Sequence, residues 1–243
     1  MSDQTLEAQF GAAAGRLDAQ ERAWAVGIGA LTRFSGHFET AELRPVIGRA
    51  FDAGDFPSGP FPFTPAQTEF SGDGRGEEAV ARFELSSQRQ FEYRVGLTPG
   101  GLLSVALTRS GRLDDGSVEP SHVLLSDVES VLSDTLVLLE CLAGELEYAG
   151  PRRLLIGLVS DVPGRPLELR AYDEDGGDAL RPAAGYNEFS PIEVEYPGRL
   201  DAEQTERLLW ETALAISLAF GVFVPQMVGQ AKTRTTYSFG ELS

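Results

Sequence analysis

SDVESVLSDTLVLLECLAGELEYAGPRRLLIGLV, residues 126–159, joins a long helical signal to an apolar strand through a helix stop. Ser126-Asp127-Val128-Glu129 has the form of a capping box, with serine for the third amide and glutamate reaching back. The helix it predicts runs to about Tyr148 and stops at Gly150-Pro151. At 100° per residue, Val128, Leu132, Leu139, Leu142 and Leu146 fall on one side as a core stripe. Acidic residues border it: Asp127, Asp134 and Glu145 on one edge, Glu129, Glu140 and Glu147 on the other. Roughly opposite the core lie Val137, Cys141 and Tyr148, among the small residues Ser130, Ser133 and Gly144. An exposed helix back is normally polar, so this pattern predicts burial on two opposite flanks. The cover is either another part of the same chain or a partner, a second copy included.

Outward from this helix, strand signals stand on both sides. Before it, residues 79–85 alternate in polarity, Phe91, Tyr93, Val95 and Leu97 lie two apart, and Leu103, Val105 and Leu107 resume the period behind Pro99-Gly100-Gly101. These predict a three-strand antiparallel meander. After it come the apolar strand 152–159, a hairpin return through Leu167, Leu169 and Ala171 at Pro163-Gly164, and a strand carrying Ile192, Val194 and Tyr196. Asp201 with Gln204 caps a last helix that holds Leu208, Leu209, Ala213, Ile216 and Phe220 and ends at Gly221.

Toward the N-terminus, residues 3–34 read as helical, with a break near Gly11 and Gly15. Thr40 and Pro45 suit the start of a helix over 40–51. Residues 52–66, DAGDFPSGPFPFTPA, hold four prolines, which excludes helix and central strand and marks a boundary. Phe56, Phe61 and Phe63 within it are ligand-loop candidates, set against plain packing of the loop on the body. The predicted class is therefore α+β: antiparallel strands in two runs around a long central helix. The expected division is a helical N-terminal region (1–51), a Pro/Phe-rich connection (52–66), an α+β domain (67–224) and a polar tail (225–243).

Composition bounds the function. The 243 residues carry 37 acidic against 20 basic side chains, a net charge of −17. Such a field repels a phosphate backbone, so no direct nucleic-acid binding is expected, whereas a basic partner is attracted. No apolar run reaches the roughly 20 residues of a membrane span, so no membrane role is expected. A single cysteine fits a reducing compartment and makes cytoplasm the expected location.

No catalytic, cofactor or metal motif emerges. His37 and His122 stand in separate regions without a nearby nucleophile motif, and one Cys with two His cannot build a zinc site at motif spacing. Asp173-Glu174-Asp175-Gly176-Gly177-Asp178 has calcium-loop composition but not its spacing: position six is Asp178 and position twelve Ala184. Gly27 and Gly29 lack the third glycine of a dinucleotide fingerprint. The expectation is a non-catalytic, chaperone-like interaction or regulatory module that binds a protein partner, as a homodimer in one form. A small-molecule sensor roofed by the Phe/Pro loop is the alternative.

The stretch LLECLAGELEYAGPRRLLIGLVSDVPG, residues 138–164, resembles a segment of actinobacterial Schlafen/AlbA-type proteins, matching at Tyr148, Gly150, Pro151 and Gly164. The likeness implies a regulatory or sensor module; the DNA-associated N-terminal domain of that family has no counterpart here. The element order is also similar to type III secretion chaperone-like folds, a likeness of architecture alone.

Overall fold

The computed structural model describes residues 6–34, 36, 39–53, 68–72, 76–86, 89–111, 120–172, 180–182 and 189–228. In chain order these form α1 (Leu6–Ala14), β1 (Trp24–Leu31), α2 (Thr40–Ala53), β2 (Thr68–Gly72), β3 (Glu77–Ser86), β4 (Arg89–Leu97), β5 (Leu102–Gly111), β6 (His122–Leu124), α3 (Leu125–Glu145), β7 (Arg152–Val159), β8 (Glu168–Tyr172), β9 (Leu180–Pro182), β10 (Ile192–Tyr196) and α4 (Ala202–Ala219). The class is α+β. Seven strands make one antiparallel sheet in the order β10-β7-β1-β5-β4-β3-β2, and β6, β8 and β9 make a smaller one.

The centre of the large sheet is β1, where a helix was expected. Its eight residues, WAVGIGAL, are nearly all buried. Side-chain size alternates along it: Trp24, Val26 and Ile28 point one way, and Ala25, Gly27 and Gly29 the other. The large set packs with Leu6 of α1, Ala106 and Leu155. The small set faces α3, which crosses so closely that a Cβ on Gly29 would stand 3.2 Å from Leu139. A helical wheel scatters these residues; period two separates them by size. Glycine here is a packing device, admitting a helix backbone to the sheet.

On the α3 side, β4 supplies Tyr93, Val95 and Leu97, β5 supplies Leu103, Val105 and Leu107, and β7 supplies Leu154 and Ile156. The predicted meander is present as β3, β4 and β5, with β2 added at its outer edge. The predicted hairpin at Pro163-Gly164 is not. β8 leaves the large sheet and pairs in parallel with β6, His122 opposite Glu168, while β10 takes the place beside β7. Two apolar strands in succession do not reveal which sheet each joins.

Helix boundaries follow their local chemistry. Helix α3 begins at Leu125, and its N-cap Leu124 makes no side-chain cap bond, so the Ser126 box does not form. Instead Ser126, Asp127, Glu129 and Ser130 lie buried inside its first turns. It ends at Glu145, a turn short of Tyr148. The last helix behaves as its sequence predicts, with Asp201 and Gln204 forming a reciprocal capping box. Thr40 is the first residue of α2, and Glu42 reaches back to accept the Glu39 N–H at 3.1 Å. Among the described residues, no helix is long and apolar enough to cross a membrane.

Candidate docking surface

Every residue of α3 from Leu125 to Leu136 is buried. Its C-terminal half is more open, and there the three interface candidates differ. Val137 is half-buried, and Cys141 is half-buried and packed against the core. Burial raises the Cys141 thiol pKa, and Glu140 and Glu145 add to the effect, so the thiolate is disfavoured. Tyr148 is committed inside the chain. Its hydroxyl donates to the Thr32 carbonyl, its ring meets Phe34 edge-on at 5.9 Å, and the Arg152 guanidinium lies over it. Phe56, Phe61, Phe63, His37 and the calcium-like loop lie outside the described residues. A cleft of about 550 Å³, open to solvent, lies between Leu158, Asp161, Arg165, Leu167, Phe189 and Pro191. His122 lies across from Glu168, its Nε2 3.0 Å from the carboxylate, which Arg170 also holds at 2.6 Å.

Three carboxylates that were expected along the helix edges are buried instead. Asp134 accepts the Tyr93 hydroxyl at 2.8 Å. The other two are Asp127 and Glu129. Glu129 has no exposed surface, yet it accepts the backbone N–H groups of Gln226 (2.9 Å), Met227 (2.5 Å) and Val228 (3.1 Å). Three successive amides converging on one oxyanion make a small anion nest. The chain beyond α4 is thereby tied to the middle of the core.

Burial drives the Glu129 pKa upward; the three amides and the Ser217 hydroxyl pull it down without cancelling that rise. The folded state then holds the proton more tightly than the unfolded chain does. Stability from this group is complete below the ordinary 4.5 and is lost as pH climbs through the elevated value. Glu129→Gln removes that titration. Its urea-unfolding free energy, taken relative to wild type, should therefore rise as pH climbs above the ordinary 4.5. Parallel curves for the two proteins would contradict the assignment.

The other anchor of this segment is the end of α4. Gly221, at φ +71°, donates to the Leu218 carbonyl, and Val222 donates to that of Ser217, both at 3.0 Å. This pair is a Schellman motif, and glycine suits its left-handed position. Val222 packs on the core and Pro225 is buried. Between these fixed points stand Phe223 and Val224, 81% and 56% exposed. In sequence they follow an apolar line along α4: half-buried Trp210 and Leu214, then Leu218, 50% exposed, each one turn from the last.

The sequence missed this surface because Leu208, Leu209, Ala213, Ile216 and Phe220 already supplied a full core stripe. The signal was the second apolar set at Trp210, Leu214 and Leu218, four apart, followed by Val222-Phe223-Val224. No family model matches this chain, and neither a curated protein nor a solved structure does.

Proposed function

We propose that this chain is a non-catalytic interaction module, regulatory or chaperone-like in use, that docks a partner protein along the outer side of α4 and the turn behind it. The observation that carries this reading is the bare Phe223-Val224 pair held between two anchors. A large apolar group on a frayed end is exposed for want of a constraint. Here the Schellman motif on one side and the Glu129 nest on the other fix the backbone that presents it. Covering one such side chain contributes at most about 1.5–3 kcal/mol. Because the backbone is already ordered, little of that is lost to fixing it on binding.

Peptides selected from a random display library against the full chain test this. Enriched sequences should be apolar, and should lose most of their binding to a Leu218→Ser/Phe223→Ser variant. Both positions are exposed, so the variant should melt within a few degrees of wild type. Enriched peptides that bind wild type and variant alike would place docking elsewhere and end the reading.

A further inference from the structure

We infer that the occupant of the α4 surface is a cationic amphipathic segment of a partner protein, and not a second copy of this chain. The inference rests on the docking reading above and adds the partner's chemistry. From residue 201 to residue 224 the chain carries Asp201, Glu203, Glu206 and Glu211 against one base, Arg207. That base is already matched, its Nε 2.8 Å from Glu211. These carboxylates lie before and beside Trp210, at the first end of the apolar line. The second half, from Thr212 to Val224, has no charged side chain.

Helix polarity acts in the same sense at the far end. The last turn of α4 contains no basic residue, so beyond the Schellman bonds to the Ser217 and Leu218 carbonyls no cation of that turn offsets the partial negative charge of its carbonyl end. A partner with basic groups at both ends of an apolar strip meets acid at the first end and the helix terminus at the second. From Trp210 to Leu218 the strip covers about 12 Å of helix axis, so a partner helix of about three turns would span it together with the Phe223 turn. A second copy offers the reverse of what is needed. It would lay the same acidic margin against this one, on a body that already carries −17, and like charges so placed suppress association.

Two designed helical peptides with one shared leucine strip, one flanked by lysines and one by glutamates, separate the possibilities. Each is titrated by fluorescence anisotropy into the full chain, at low and at physiological salt. The lysine peptide should bind at least tenfold more tightly than the glutamate peptide. It should weaken severalfold as salt rises, and lose about tenfold with Leu218→Ser/Phe223→Ser. Glu203→Gln should reduce the lysine peptide's advantage while leaving the glutamate peptide's affinity unchanged or improved. Equal binding of the two peptides overturns the charge inference and leaves the docking reading standing. Lysine-peptide binding that ignores Leu218→Ser/Phe223→Ser is adhesion to the acidic body and overturns it as well. So does a wild-type dimer in sedimentation that this variant dissolves, since the occupant would then be a second copy.

Discussion

Gly27→Ala should lower the unfolding free energy by about 2–3 kcal/mol, a large effect for one methyl group. The cause is the closeness of β1 to α3. A Cβ at position 27 would land on the Thr135 hydroxyl oxygen, with the Val131 Cγ1 at 3.0 Å and the Thr135 Cβ at 3.1 Å. Neither neighbour can yield easily. Both are fully buried, and the Thr135 hydroxyl is bonded to the Val131 carbonyl at 2.6 Å. The helix must lift from the sheet, or two side chains must leave their rotamers, and overpacking of this kind typically costs about 1–3 kcal/mol. Thr135→Ala opens the missing space, so the double variant should be more stable than the sum of the single losses predicts. A coupling of about 1 kcal/mol or more in a urea double-mutant cycle is the expected result. Additive losses would show that the Gly27–Thr135 contact does not set the spacing.

The same contact shows what the sequence discloses and what it hides. The long helix, the β3–β4–β5 meander and the Asp201–Gln204 cap are legible because each rests on neighbouring residues: a periodicity, a turn or a box. Strand β1 was hidden because its alternation is one of size, glycine against tryptophan, and both its faces are covered. Polarity then carries no period. The Ser126 box was misleading for a related reason. Its residues are suited to an exposed helix start, but strand β6 runs straight into α3 and buries them. The parallel partnership of β6 and β8 joins residues some 45 positions apart, which no local pattern encodes.

The functional surface divides along the same line. Reading α3 by its wheel directed attention to the back of that helix, where an apolar residue opposite the core looked unclaimed. Tyr148 is in fact claimed by Thr32, Phe34 and Arg152 of its own chain. On α4 the core stripe was read and the adjacent line was not, because a wheel cannot distinguish a wide core face from a core face beside a docking face. What separates them is the geometry after the helix, where two anchors hold Phe223 and Val224 in water. The Glu129 nest spans 97 residues of sequence between donor and acceptor, so no spacing rule would have found it.

Arg152→Met should cost about 3 kcal/mol at neutral pH and distinguish the end of α3 from a docking face. Arg152 is 2% exposed at the start of β7, and its guanidinium serves three groups. It donates to the carbonyls of Gly150 (2.9 Å) and Tyr148 (3.1 Å), and its Nε lies 2.9 Å from Glu140. Methionine fills most of the volume but leaves the turn after α3 without its donors and Glu140 without its cation. Glu140 keeps the Tyr196 hydroxyl at 3.0 Å and some exposure to solvent, which holds the cost to the low end of the range for a broken buried pair. Burial already raises the Glu140 pKa, with Arg152 pulling against it. Removing the cation raises it further, so the penalty should grow as pH climbs above the ordinary 4.5 and shrink in acid, where the carboxyl is neutral. Arg152→Lys should recover only part of the loss, because one ammonium cannot reach all three acceptors. If the α4 surface is the docking face, Arg152→Met, once folded, should bind the lysine-flanked peptide as wild type does. A loss of stability that shrinks in acid, with peptide affinity intact, identifies Arg152 and Tyr148 as the brace of the helix end. A loss that does not change with pH would take Glu140 out of that brace, and a peptide affinity that falls in the folded variant would put the partner on α3 after all.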